Sequence, residues 1–390
     1  MYTIQTLNKI SANGLDQLPR DNYEIATEIS NPDAILVRSA NMLDMEYSKK
    51  LKAIARAGAG VNNIPVDKCT EKGIIVFNTP GANANAVKEI IIASLLLSSR
   101  KIFQGITWAQ SLKGKADEVG ALVEKGKAQF VGPEIAGKKL GVIGLGAIGI
   151  KVANDALALG MEVIGFDPFL SIDAAWGISS EVTKAASVDQ LIAAADYITI
   201  HVPFNNKTKG MINKDKLALM KKGVKILNFS RGGLVVNADI LEAIESGIVS
   251  TYVTDFPEDE LLGNDKIIAV PHLGASTPES EENCAVMAAK QLRHFLEYGN
   301  IKNSVNFPEC HLDWSGNSRI TIAHDNIPNM VGQITTLLAA NSINIADMLN
   351  RSRDKIGYTI IDIEGSISEE IVEKIKAIEG MKNVRVIVAE

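Results

Sequence analysis

The residues best suited to chemistry gather in the second half of a 390-residue chain. Gly144, Gly146 and Gly149 stand in the order GLGAIG, directly after the apolar run 140–143 and directly before a helical pattern. In a strand–loop–helix setting Gly144 permits a tight turn, Gly146 lets a pyrophosphate approach the backbone and Gly149 lets the helix pack against the strand. With Ala147 and Ile148 they form a helix start whose free N–H groups and positive partial charge suit a phosphate. Asp167 ends the next apolar run, about twenty residues further on, where a carboxylate accepts both ribose hydroxyls and repels a 2′-phosphate. Pro168 and Phe169 follow, with no Arg among them. The pattern points to NAD in preference to NADP.

A second set of polar residues falls at predicted strand ends: His201 before Pro203, Ser230 with Arg231, Asp255, and His272 before Gly274 and Ala275. Glu260 lies in the loop after Asp255. In a parallel sheet, ligands sit beyond the carboxyl ends of the strands. Hydride transfer on a hydroxy acid needs a cation for the carboxylate and a proton carrier that titrates near neutrality, for which histidine is the natural choice. A carboxylate beside that histidine would hold its tautomer. Plainer readings stand beside these: His201 only lining a cofactor pocket, Arg231 a surface cation, His272 a satisfied buried imidazole, and Glu258 competing with Glu260 within the acidic EDE stretch. His294 and His311 read as surface or linker residues, and no HExxH or His/Cys cluster suggests a metal.

The elements that must position these residues are legible as an alternation of short β-branched runs and helical patterns, the α/β signature. Strands are expected at 34–38, 52–57 and 74–78 in a first block. They are expected at 140–143, 162–166, 197–201, 224–229, 250–254 and 267–270 in a second. Residues 101–137 read as a helix followed by a Gly/Lys-containing connection, 150–159 as a helix stopped by Gly160, and 279–300 as a long helix. A Pro- and Gly-bearing linker, 303–318, precedes a smaller pattern. Its strands are expected at 319–323, 347–353, 358–363 and 384–388, with helices at 330–340 and 369–378. That order is ferredoxin-like βαββαβ. The expected architecture is two Rossmann-like or flavodoxin-like lobes with parallel sheets plus this C-terminal domain. The first lobe is discontinuous (1–97 and 279–302), the NAD-binding lobe is 98–278, and the C-terminal domain is 319–390.

Composition agrees with a globular chain: 46% apolar and 22% charged residues exclude a disordered or collagen-like one. A net charge of −6 argues against general nucleic-acid binding. Cys69, Cys284 and Cys310 are few, scattered and odd in number, which suits reduced thiols in the cytoplasm. The N-terminus lacks the segments of a signal peptide. The longest apolar run, 90–97, is far short of the ~20 residues that span a bilayer and reads as one buried helix.

The order GLGAIG, Asp167, HVP (201–203), SRGG (230–233), TDFPEDE (254–260) and PHLGAST (271–277) resembles the D-isomer-specific 2-hydroxyacid dehydrogenases over roughly residues 30–300. The resemblance implies that Arg231 orients a 2-oxo acid and polarises its carbonyl. It makes His272 the general acid/base, Glu260 its carboxylate partner, and puts Asp255 near the nicotinamide. Three features depart from the family pattern: Ser230 replaces the usual Ala, Val236-Asn237 replace the usual acidic residue, and the 260–272 loop is short and lacks the usual Pro after the Glu.

VRSAN (37–41), RAGAGVNN (56–63) and NTPGANANAV (78–87) resemble the D-3-phosphoglycerate dehydrogenases within that family. That resemblance puts Arg38, Ser39 and Asn83 on the side of a substrate phosphate, which Arg suits through bidentate contacts. Arg56 is a second candidate cation. Backbone N–H groups of Ala59-Gly60-Val61 offer a nest for the substrate carboxylate. The implied reaction is oxidation of 3-phospho-D-glycerate to 3-phosphohydroxypyruvate. A glyoxylate/hydroxypyruvate reductase, another D-2-hydroxyacid dehydrogenase and an NAD-sensing interaction protein are the alternatives. Residues 319–390 resemble an ACT domain, carried by HDNIPNMVGQITTLLAANSINI (324–345). His324, Asn326 and Asn344 match positions that hold serine in such domains, while a pure assembly module is the rival. Asn329 stands where a Gly is usual, and Asn tolerates the left-handed conformation. A homodimer or homotetramer is expected, with no membrane or nucleic-acid partner.

Overall fold

The computed structural model describes residues 1–388, so the last two residues of the expected C-terminal domain lie outside it. Three sheets organise the chain. Strands β1 (Tyr2–Leu7), β2 (Tyr23–Ala26), β3 (Ala34–Val37), β4 (Ala53–Arg56) and β5 (Ile75–Phe77) form a parallel sheet of order β2-β1-β3-β4-β5, the flavodoxin-like winding. β3, β4 and β5 are buried almost throughout, which is why they read as unbroken apolar runs. β1 and β2 were not expected from the sequence. β1 alternates partly and fully buried residues, and β2 has only four.

Strands β6 (Lys139–Ile143), β7 (Glu162–Phe166), β8 (Thr183–Lys184), β9 (Tyr197–Ile200), β10 (Val224–Asn228), β11 (Val249–Thr254) and β12 (Ile267–Ala269) form the second parallel sheet. Its order, β12-β11-β10-β9-β6-β7-β8, reverses direction between β6 and β9. A doubly wound sheet opens its ligand crevice at that reversal. One face packs Ile143, Ile198, Ile200 and Ile226 together. The other packs Leu140 and Val142 against Val152 and Ala156 of the helix Ala147–Ala158.

Strands β13 (Ser318–Asp325), β14 (Ile345–Arg353), β15 (Ile356–Ile363) and β16 (Met381–Val388) form an antiparallel sheet of order β14-β15-β13-β16. With the helices Met330–Ala340 and Glu369–Lys376 this is the expected βαββαβ order. Asn329 adopts φ +63° at the head of the first of these helices, the left-handed turn anticipated for it.

The chain divides into two compact units, Ala84–Thr277 and Met1–Asn83 with Pro278 onward. The second sheet lies in the former. The helix Ala84–Ser99 belongs there too, with Val87, Ile91 and Leu95 in the core around β6, so the division falls before this helix and not after it at the expected 97/98. Residues 101–137 hold more helix than anticipated, Ile102–Ser111 and Val119–Gly126.

The other unit contains the first and third sheets, which share one core with the helix Pro278–Tyr298. Ile4, Leu36 and Phe77 meet Leu292 and Phe295, and also Ala323, Tyr358 and Ile360. Across β13 and β15 of the third sheet runs a fully buried ion pair. The Arg319 guanidinium donates to both Asp362 oxygens at 2.6 and 2.8 Å, to the Tyr298 carbonyl at 2.9 Å and to the Asp313 carbonyl at 3.1 Å. The linker also has an anchor: Asn306 accepts from Val76 N–H at 2.9 Å and donates to the Ile74 carbonyl at 2.9 Å, lying along the free edge of β5. Among the described residues all three cysteines are free and buried, and no single helix is long and apolar enough to cross a membrane.

Candidate active site

The glycine loop leaves β6 beside the end of β9. Gly144 has φ +93°, and a Cβ there would lie 2.7 Å from the His201 carbonyl oxygen. A Cβ at Gly149 would collide with the Gly144 carbonyl, so the helix packs as close as the sequence implied. Gly146 differs: a Cβ there would meet nothing within 4 Å. Internal packing therefore does not account for Gly146, whereas close approach of a ligand does. Gly146 is also the N-cap of the helix Ala147–Ala158, and no side chain caps that end. Its first N–H groups are available to an anion. Asp167, at the end of β7, accepts from Leu145 N–H at 2.9 Å and Phe169 N–H at 2.8 Å. These bonds fix the carboxylate over the glycine loop with lone pairs to spare. The loop, the uncapped helix and the fixed carboxylate fit a dinucleotide.

Four further strand ends on the same sheet carry the remaining candidates. After β9, the His201 imidazole shares a 2.9 Å hydrogen bond with Thr199 Oγ1, and burial pushes its pKa down to about 3. A ring held neutral at physiological pH suits a wall better than a proton carrier. After β10, Ser230 Oγ donates to the Val202 carbonyl at 2.8 Å, and the exposed Arg231 folds its guanidinium onto the Ser230 carbonyl at 2.7 Å. After β11, the buried Asp255 accepts from Leu273 N–H at 2.6 Å and Gly274 N–H at 2.9 Å. Burial raises its carboxyl pKa against the pull of those two bonds.

His272, following β12, is exposed at φ +54° with its ring 5.1 Å from Phe256. Glu260 lies in a 3-10 turn, Asp259–Leu261, and no ion pair joins it to His272. Gly274 and Ala275 continue the loop, and Pro203 follows His201 in the loop after β9.

In the other unit, the substrate candidates also sit at carboxyl ends. Arg38 and Ser39 follow β3, Ala59, Gly60 and Val61 follow β4, and Asn83 lies beyond β5. These three strands are neighbours, so the candidates share one edge of the sheet. Arg38 is about half exposed and pairs with Glu281 at 2.5 Å. Arg56 Nε donates to the Arg38 carbonyl at 3.0 Å. The effector candidates separate by burial. His324 is interior, its ring nitrogens bonded to the Asp325 carbonyl at 2.8 Å and Thr359 Oγ1 at 2.9 Å. Asn326 and Asn344 are exposed.

Residues 92–274 match the family described as D-isomer specific 2-hydroxyacid dehydrogenase, NAD binding domain. Over these residues the chain is similar to the NAD-binding domain of that family. The D-3-phosphoglycerate dehydrogenase of Methanocaldococcus jannaschii is 34% identical over 335 residues, covering 84% of this chain and 61% of that protein. The enzyme of the same name from Bacillus subtilis is 34% identical over 331 residues, covering 80% and 60%. This chain thus spans about three-fifths of the length of the curated relatives it matches. Among solved structures, a glyoxylate reductase from Paecilomyes thermophila superposes with a TM-score of 0.63 at 27% identity, over 78% of this chain and 98% of that one.

Three asparagines not singled out in the sequence shape the turns that carry these candidates, Asn228 in one unit and Asn8 and Asn78 in the other. Asn228, buried at the end of β10, donates to the Arg231 carbonyl at 2.9 Å and accepts from Ser230 N–H at 3.2 Å, clamping the turn that presents Arg231. Asn8, at φ +76°, accepts from Ser39 N–H at 3.0 Å and Ala40 N–H at 2.7 Å. Asn78 donates to the Ala59 carbonyl at 2.7 Å. Each is an amide at the carboxyl end of a parallel strand. That position was a usable signal for Asn228 and Asn78; Asn8 was hidden because β1 itself was missed.

Proposed function

We propose that this chain catalyses NAD-dependent oxidation of 3-phospho-D-glycerate to 3-phosphohydroxypyruvate, the first step of serine synthesis from glycolysis. The observation that carries this reading is the gathering of Arg231, Asp255 and His272 at the carboxyl edge of the sheet whose Gly146 loop is open and uncapped. Similarity to enzymes named D-3-phosphoglycerate dehydrogenase supports the substrate. Bound NAD supplies a hydride acceptor for C2. The glycine loop, with Ala147, Ile148 and Gly149, takes its pyrophosphate and Asp167 its ribose. His201, Pro203, Ser230, Asp255, Gly274 and Ala275 wall the pocket.

His272 removes the hydroxyl proton as C2 becomes a carbonyl, and returns it in the reverse direction. Arg231 orients the acid and stabilises charge on the forming carbonyl oxygen. Glu260 acts as the carboxylate partner of His272. Arg38, Ser39 and Asn83 take the phosphate, and the 59–61 nest takes the carboxylate. Residues 1–83 with 278–302 form the substrate domain, 84–277 the NAD domain, and 319–390 a regulatory ACT domain. L-serine is its proposed effector, received by Asn326 and Asn344 with His324 behind them. The enzyme works in the cytoplasm as a homodimer or homotetramer, consistent with the exposed Phe103, Ile106 and Val131.

The test is steady-state NADH oxidation with 3-phosphohydroxypyruvate, glyoxylate and 2-oxoglutarate in parallel. A kcat/KM advantage of about 10²-fold or more for the phosphorylated acid supports the reading. A flat or reversed preference replaces it with a second one, a glyoxylate or hydroxypyruvate reductase. The Paecilomyes thermophila similarity, which covers nearly all of that enzyme, favours this alternative.

A further inference from the structure

A cavity of about 660 Å³ opens where the amino ends of β4 and β5 meet β16 and the last turn of the helix Glu369–Lys376. It lies in the unit that holds the first and third sheets, at the end of the first sheet opposite Arg38. Its volume suits a small metabolite. Its wall is cationic from both sides. Lys49, Lys50, Lys52 and Lys72 come from the first lobe, and Lys376, Lys382 and Arg385 from the C-terminal domain; among the described residues no Asp or Glu lines it.

The carboxylates that answer these cations stand behind the wall and are too few to neutralise it. Lys50 and Lys52 share the single Asp33, at 3.0 and 2.5 Å. Lys72 reaches Glu46 only at 3.9 Å, and Glu46 is already bonded to Lys68 at 2.9 Å. Lys382 pairs with Asp325 at 3.0 Å and Lys376 with Glu373 at 2.7 Å. Arg385 spends its donors on the Phe295 and Leu296 carbonyls at 3.4 and 2.8 Å. Among the described residues Lys49 has no ion-pair partner. Ser48, which also lines the cavity, has a buried hydroxyl without a hydrogen-bond partner. A buried donor left unmet costs free energy, as does crowding like charges around one volume. Both costs are relieved by the same kind of occupant, one that brings several acceptor oxygens and more than one negative charge.

We infer that this cavity is a binding site for a small polyanion, a phosphate ester or a polycarboxylate, that bridges the C-terminal domain and the first lobe. Such a ligand is held by Lys49 and Lys72 on one side and Lys376 on the other, with Ser48 donating to one of its oxygens. The site is separate from the proposed catalytic residues and does not depend on their assignment.

Isothermal titration of the full chain at fixed ionic strength, with pyrophosphate and citrate as separate probes, tests this. Saturable binding of either probe is expected, and the tighter of the two identifies the ligand class. Lys49→Glu with Lys376→Glu weakens that binding by about tenfold or more, while turnover without added anion stays at the wild-type level. The neutral pair Lys49→Gln with Lys376→Gln gives an intermediate loss and guards against misfolding of the charge-reversed variant. Arg38→Ala with Arg231→Ala keeps the binding intact. Absence of saturable binding by both probes overturns the inference. So does binding indifferent to the lysine changes, or binding lost with Arg38 and Arg231, which would place the anion at the catalytic residues.

Discussion

His272 occupies a left-handed backbone conformation that costs a side-chain-bearing residue about 1 kcal/mol or more. Asp255 sustains it, because its carboxylate holds the two N–H groups that immediately follow His272 in the chain. The acid the sequence associated with the nicotinamide is thus also the brace of the loop that aims the imidazole. Replacement at position 272 should respect that backbone, and asparagine does. His272→Asn is expected to lower kcat by about 10²–10⁴ with NADH affinity unchanged in a fluorescence titration; wild-type turnover would remove His272 from the chemistry. The carboxylate partner is decided at the same scale. Glu258 faces the Arg231 loop, its Oε1 3.9 Å from a Cβ built at Gly232, whereas Glu260 makes no ion pair with His272. Comparing pH profiles of kcat/KM for Glu260→Gln and Glu258→Gln settles the choice: the true partner displaces the limb assigned to the imidazole, and the other leaves it in place.

At the scale of elements, legibility follows burial. β9, β10 and β11 are covered on both faces, so YITI, VKILN and VSTYVT announce themselves as strands, and the glycine loop after β6 was readable in full. β1 was not, because YTIQTL is only partly buried and its role is set by what it pairs with. The positive φ of His272 and the clamp at Asn228 were equally invisible, being properties of loops that tertiary packing fixes. Asp33 shows how much such packing matters. Burial alone would raise its pKa, but Lys52, Thr3 N–H and Lys50 outweigh that and hold it at about 2, against 3.8 in a free carboxyl. A depressed carboxyl stabilises the fold above its unfolded value and loses that contribution as pH falls through 3.8 toward 2. The difference corresponds to about 2 kcal/mol. Thermal melts of Asp33→Asn should lie below wild type at pH 6 and converge with it near pH 2; parallel curves would mean the carboxylate is not titrating with the fold.

At the scale of the molecule, the first and third sheets behave as one body because they share a core with the helix Pro278–Tyr298, and the Arg319–Asp362 pair of the third sheet is tied to the end of that helix. That pair is fully enclosed, so removing one member strands a charge. Arg319→Met alone is expected to cost about 3–5 kcal/mol in urea denaturation, and Arg319→Met with Asp362→Leu markedly less. Equal losses in the two variants would mean that the remaining charge finds solvent. The linker carries a different consequence. A parallel sheet that ends on a bare strand offers a row of unmet peptide groups to any other chain. On β5 the Asn306 amide occupies two of these positions, imitating the peptide of a neighbouring strand. A segment without regular structure of its own therefore acts as a stopper against strand addition, shielding the molecule from aggregation while it folds and at high concentration.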